Sequence, residues 1–363
     1  MGDAPSSCTN RFCDLNLAEE QWSKPVATVE YQNEHVSNLD FAVTGLFSDP
    51  VILSCRGSAR SERARTGNSA FGGDTGSTPK GEGASSAAES SSSSYFRGRE
   101  ASETHLIRHR PGEERARRRH VFSTGAVFDG QWLGNVRDGV GTQVWPDGAR
   151  YTGEWSNNFA TGMGTFVHSK SDVFTGEWRL NSAHGRGVYH HRDGTTYEGE
   201  FVDDLQDGCG VEKWPDGSSY EGQFVQGKKC GWGVYTWSDG SAYLGQWRLN
   251  QIDGLGAYVG VDGRCYDGGW KASAMHGVGR YSWPDGRRYE GQYADDVKED
   301  FGIFRWADGT KYEGFWHVGR QHGLGIHSRG GESRLAQWVD GERTGWRDDL
   351  DVGRMLDTML HVQ

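Results

Sequence analysis

Four residues at one phase of a periodic sequence invite a metal-site reading. His184, Cys230, His276 and His322 are imidazole and thiol side chains of the kind zinc takes as ligands. They fall in alternate repeats, however, and a repeat built from two strands sets neighbours roughly 20 Å apart at ~4.8 Å per strand. A zinc ion needs its ligands at about 2 Å, so no shared site within one chain is expected, and no cofactor. Nucleophilic and acid–base chemistry finds no footing either. The acidic residues sit in turns and on polar strand positions, and the chain has no Gly-x-Ser-x-Gly, phosphate-binding Walker loop, His-Glu-x-x-His or Cys-x-x-Cys. A non-enzyme is expected.

The other chemically distinctive group is cationic. Arg108, Arg110, Arg115, Arg117, Arg118 and Arg119 crowd one short stretch. Such an arm suits anionic lipid, an acidic protein tail, or the chain's own acidic repeats. Nucleic acid is disfavoured because no recognisable binding fold accompanies the charge.

The elements that must position these side chains recur every 23 residues. An aromatic opens each unit, at Phe128, Tyr151, Phe174, Tyr197, Tyr220, Tyr243, Tyr266, Tyr289 and Tyr312. Two residues on stands a glycine, and two further a second aromatic: Trp132, Trp155, Trp178, Phe201, Phe224, Trp247, Trp270, Tyr293 and Trp316. A Gly-x-Gly follows, as in Gly231-Trp232-Gly233, and an Asp-Gly turn closes the unit, as in Pro146-Asp147-Gly148. A fixed period of this size means a repeat array. Within a unit the alternation has period two, which belongs to strands. Tyr220, Gly222 and Phe224 therefore share one face, with Gly231, Gly233, Tyr235 and Trp237 on the same side of the second strand. Antiparallel pairing is expected to set both glycines across from the rings, where a Cβ would collide. On that reasoning Asp300, which replaces the first glycine in the eighth unit, should disturb ring packing. Each unit is one hairpin, and the whole an all-β, single-sheet antiparallel meander, a solenoid-like rod.

The composition agrees with that frame. Fifty-five glycines and fifteen tryptophans are unusual in 363 residues, and nearly all of the formal charge of −11 falls after residue 120. A mean hydropathy of −0.75 favours a water-soluble chain, and no apolar run is long enough for a membrane span. Residues 1–55 are of uncertain order. Residues 56–120 are rich in Ser, Gly and Arg and read as a disordered linker with a basic end. The array occupies 121–345. Over 346–363, Val352, Met355, Leu356, Met359 and Leu360 form one stripe of an amphipathic helix. That helix either covers the open edge of the last hairpin or docks a partner, a second copy included.

The segments Tyr151-Thr152-Gly153-Glu154-Trp155…Gly162-Met163-Gly164 and Tyr197-Glu198-Gly199-Glu200-Phe201 resemble the MORN repeat (membrane occupation and recognition nexus). The likeness runs over about 220 residues in nine in-phase copies. It departs at Lys170-Ser171 and Gly331-Glu332, where Asp-Gly is missing, and at Gly269 and Phe315, where Glu or Gln is missing. The resemblance implies an extended antiparallel β structure serving as a scaffold in cytoskeletal, flagellar or junctional assemblies. A cytoplasmic, cytoskeleton-associated protein is therefore expected, with cytoskeletal or axonemal partners and a cilium or flagellum as one setting. The ring-lined face is the expected partner groove: Trp132, Tyr151, Trp155, Trp178, Tyr197, Phe201, Tyr220, Phe224, Tyr243, Trp247, Trp270, Tyr289 and Trp316. Two alternatives stand beside the scaffold: a tether to anionic membrane through residues 108–119, and a regulatory subunit of an enzyme complex.

Overall fold

The computed structural model describes residues 93–96, 100–104 and 114–347. Residues 1–55, Arg108, Arg110 and the expected helix with Val352, Met355, Leu356, Met359 and Leu360 lie outside the described residues. Twenty-one strands belong to one antiparallel sheet, and within each of its two units sequence neighbours pair. The chain divides into two compact units. The first holds the described residues as far as Gly240 together with Gln246–Gln251; the second holds Ser241–Gly245 and the strands from Ile252 onward.

One hairpin explains the rest. Ser219–Val225 pairs with Lys228–Thr236, placing Tyr220 opposite Tyr235 and Gly222 opposite Gly233. Glycine therefore faces glycine, not a ring as the sequence suggested. The Tyr220 ring instead leans along its own strand and covers both: a Cβ on Gly233 would stand 2.6 Å from its ring carbons. The phenol donates to the Gln223 carbonyl at 3.0 Å, which holds the ring down. The register then shifts between Gly222 and Gln223, a β-bulge.

That bulge corrects a second expectation. Gly231 sits in it with φ +63°, so its glycine answers a backbone demand and not ring packing. Gln223 Oε1 accepts from the Trp232 N–H at 2.9 Å, and Glu154 and Glu177 do the same for Met163 and Arg186. In these units the Glu or Gln is thus a clamp on the bulge, as is Gln131 for Val140 N. Phe315, lacking that chemistry, packs on Phe301 instead. Asp300 adopts φ +54°, which Asp tolerates better than most residues. Tyr289 remains fully buried over Gly291 and Gly302, so the ring packing there is undisturbed.

Turns at the two ends of a unit differ. At Pro146-Asp147-Gly148, Gly148 N donates to the Trp145 carbonyl and the Asp147 carboxylate accepts from Ala149 N, with φ +90° at Gly148. Ser171 takes the same role at φ +79° in one of the two units that lack Asp-Gly. The opposite turn has two residues at positive φ, as in Leu180-Asn181, the geometry of a type I′ hairpin. Its second residue reaches back one unit. Asn181 Oδ1 accepts from Ala160 N at 2.7 Å and Asn181 N donates to Ala160 O at 3.1 Å.

The sheet also starts before the boundary expected at residue 121. Strand β1 (Ala116–Val121) pairs with β2 (Val127–Leu133), which pairs in turn with β3 (Val136–Val144). Two short helices precede it, α1 (Ser93–Phe96) and α2 (Glu100–Thr104), inside the stretch read as a disordered linker.

Candidate functional site

Rings on the glycine-bearing face pack edge to face in an unbroken run within each unit of structure. Tyr220 meets Phe224 and Trp247, each with centroids 5.2 Å away, and Tyr289 meets Tyr293 and Trp316 at 5.2 and 5.3 Å. Such edge-to-face pairs add about 0.5–1.5 kcal/mol each beyond their buried area. Tryptophan indoles donate to carbonyls of the glycine column: Trp155 to Gly141 at 3.2 Å, Trp178 to Gly164 at 3.1 Å, Trp316 to Gly302 at 3.2 Å. All thirteen aromatics expected to line an open partner groove are in fact buried. They are a core laid on one face of the sheet.

What closes that core is a column the sequence reading missed. Opposite the second aromatic of each unit stands one residue: Arg137 opposite Trp132, Ala160 opposite Trp155, Ala183 opposite Trp178, Gln206 opposite Phe201, Lys229 opposite Phe224, Met275 opposite Trp270 and Lys298 opposite Tyr293. The long side chains among them plug the gaps between rings. Arg137 lies over Trp155 at 4.4 Å and donates to Gln143 Oε1 and the Asn158 carbonyl, both at 3.0 Å. Burial pushes its guanidinium down to about 10. Lys229 Nζ lies 4.6 Å over Trp214 and 5.2 Å over Tyr220. Lys298 Nζ is ringed by Trp283, Tyr289, Phe304 and Trp316 at 5.1–5.4 Å. The shared phase of Arg137, Lys229 and Lys298 was the available signal.

At Ala160 and Ala183 the plug is missing, and α1 supplies one. The Phe96 ring sits among Trp145, Tyr151, Trp155, Phe166 and Trp178, with centroids 5.2–6.1 Å away. Tyr95 stacks beside it on Trp145 and Phe166, its hydroxyl donating to Asp147 Oδ2 at 2.8 Å. Helix α2 is pinned separately. Glu103 accepts from Ser123 N and Oγ, Glu100 from Thr124 Oγ1, and Thr104 Oγ1 from Asn158. The Glu103 carboxyl is held below its ordinary range by the Ser123 hydroxyl and amide.

The MORN repeat model matches nine consecutive segments, from 128–150 through 312–330. The chain belongs to the MORN-repeat family. Comparison with curated proteins finds no match. Among solved structures, the TCP10 domain of Danio rerio CPAP in complex with a peptide of Danio rerio STIL aligns at 14% identity. It covers 64% of this chain and 99% of that chain, at a TM-score of 0.37. The same domain without the peptide aligns at 17% identity over 56% and 97%, with a TM-score of 0.33. The Drosophila melanogaster SAS-4 (dCPAP) TCP domain, in complex with a proline-rich motif of Ana2 (dSTIL), aligns at 12% identity over 58% and 99%, with a TM-score of 0.26.

The MORN array also accounts for the histidine column. His184 faces Asp203, His276 faces Asp295 and His322 faces Asp340, each at 3.5–3.6 Å across to the following hairpin turn. Carboxylates at the same phase cap that turn through its backbone: Asp207 accepts from Gln226 N at 3.1 Å and Glu299 from Val318 N at 2.9 Å. The column serves turns, and Cys230 is its free, half-buried thiol.

The described part of the basic arm folds onto acidic neighbours. Arg115 pairs with Asp138 at 2.6 Å and Arg117 with Asp129 at 3.0 Å, while Arg118 stacks on Trp132 at 4.6 Å and donates to the Gly134 carbonyl. Arg119 lies exposed in β1.

Proposed function

We propose that this MORN array is a non-catalytic scaffold that holds segments of partner proteins against its ring-bearing face, on a cytoskeletal or ciliary structure. One observation carries the reading. The face already holds a short helical segment, α1, through the aromatic side chains Tyr95 and Phe96, at the place where two alanines leave the rings unplugged. Peptide recognition by an aromatic anchor in a ring-lined seat is a recurrent mode of protein binding. Arg115, Arg117 and Arg118 of the described arm each engage a group of the array itself, which supports the protein scaffold over the membrane tether.

Proximity labelling in cells tests it, with the full chain beside a Phe96→Ala, Tyr95→Ala variant. A cytoskeletal or axonemal neighbour set that changes between the two supports the scaffold. Neighbours confined to the cortical membrane and identical in both would replace it with the tether.

A further inference from the structure

The seat over Ala160 and Ala183 is specific in what it takes. It is open only because the plug position carries alanine in two successive units, and Phe96 fills it from outside the sheet. The occupant is weakly built. Helix α1 has four residues, a single turn, and one turn is not stable alone in water. Its hold on the sheet is the Phe96 and Tyr95 rings and the Tyr95 hydroxyl, while α2 keeps its own attachment through Glu100, Glu103 and Thr104. Releasing α1 thus leaves the segment tethered at α2.

We propose that Tyr95 is a phosphorylation site whose modification ejects Phe96 and opens the seat to an aromatic helical turn of a partner protein. The inference rests on the scaffold reading of this face. The Tyr95 hydroxyl donates to Asp147 and lies 3.2 Å from Ser169 Oγ and 3.3 Å from His168 Nε2. Its described partners are a carboxylate, a hydroxyl and an imidazole, none of them an ammonium or guanidinium. Asp147 is held ionised by the Tyr95 hydroxyl and the Ala149 amide, against the opposing pull of burial. In the modifying step the Tyr95 oxygen attacks the γ-phosphorus of ATP. The new O–P bond forms as the bond to the β-phosphate bridging oxygen breaks, ADP leaves, and the phenolic proton passes to the kinase's base. The product has lost the donor that Asp147 uses and carries about −1.5 to −2 charges beside that carboxylate. The phosphate, set against the ionised Asp147 and with no ammonium or guanidinium among the described partners of this oxygen, repels the sheet, and Phe96 leaves with its neighbour.

A broad-specificity tyrosine kinase, the full chain and a synthetic Ser90–Thr104 peptide as the probe decide the matter. Four forms are compared: wild type unmodified, wild type phosphorylated, Phe96→Ala, and Tyr95→Phe after kinase treatment. The phosphorylated and Phe96→Ala chains are expected to bind the probe at least about tenfold more tightly than the unmodified chain, whose seat is taken. Tyr95→Phe should stay closed, which assigns the effect to this tyrosine and not to others the kinase labels. If Phe96→Ala does not bind the probe, the face is not a peptide seat and the scaffold reading falls with it. If Phe96→Ala binds but the phosphorylated chain does not, only the switch is lost. A kinase that labels the free peptide at Tyr95 yet never the native chain overturns the switch as well.

Discussion

Lys229 Nζ donates to Glu212 Oε2 over 2.8 Å, with both side chains almost wholly removed from water at 2% and 4% exposure. The pair lies inside a wall of rings, among Trp214, Tyr220 and Phe224. Breaking such a pair by removing one member strands the other charge and costs about 3–5 kcal/mol. Lys229→Ala is therefore expected to speed hydrogen exchange over 197–236 far more than over the rest of the array. Lys229→Met with Glu212→Leu should restore protection, because an apolar pair of similar volume has no ions to desolvate.

Glycines of the Gly-x-Gly motif differ in kind, and substitution separates them. Gly233→Ala forces a Cβ into the Tyr220 ring and should cost about 3 kcal/mol, the upper range for overpacking. Asp300→Gly removes a side chain from a left-handed position and should stabilise its unit by about 1 kcal/mol. Urea unfolding of the two variants checks both signs at once. A Gly233→Ala chain as stable as wild type would mean the ring is not fixed over the glycine pair.

Alkali should unfold the array cooperatively. Burial raises the phenols of Tyr151, Tyr197, Tyr220, Tyr266, Tyr289 and Tyr312 far above their ordinary value of 10.0. The unfolded chain sheds these protons near pH 10 and the folded chain does not. Their contribution is complete below that pH and is lost as pH rises past it. Arg137, pushed down to about 10, acts in the opposite sense above that pH, but it is one group against six. Spectrophotometric titration should show the phenolates appearing together with loss of strand signal. A phenolate signal that rises smoothly while the strands persist would contradict this.

Filling the missing plug should expel the guest. Ala160→Met restores the residue type that Met275 supplies at the same phase. Burying a phenylalanine ring contributes roughly 2 kcal/mol, so losing its seat should raise proteolytic cleavage near residues 90–100 about thirtyfold. Strand content should not change.

Much of the fold was legible in the sequence because the period writes one hairpin nine times. Strand positions, the Asp-Gly turns and the shared face of the Tyr220-type rings follow from the period and the alternation; the burial of those rings does not. The site was less legible. Period two assigns Gly231 to the same side as Gly233, but a bulge breaks the alternation there, and bulges leave no mark in a hydrophobic pattern. Arg137 and Lys229 look like solvated strand charges until the register sets them opposite Trp132 and Phe224. Phe96 lies in a Ser-rich stretch whose composition argues for disorder; its order comes wholly from a seat built by residues that begin some fifty positions later.

The bonds from each hairpin turn to the unit before it give the array a polarity. Asn158 supports Arg137, Asn181 supports Ala160, Asp204 supports Ala183 and Asn250 supports Lys229, always the later unit completing the earlier. A cut made anywhere along such a chain is unequal in its effects. The downstream piece loses less, since its own turn residues turn back to water and its leading tryptophan gives up a single carbonyl, as Trp155 would that of Gly141. The upstream piece is left with a bare peptide group at its final plug. Truncation from the front should trim the array cleanly, unit by unit, while truncation from the back unravels one unit further than the cut.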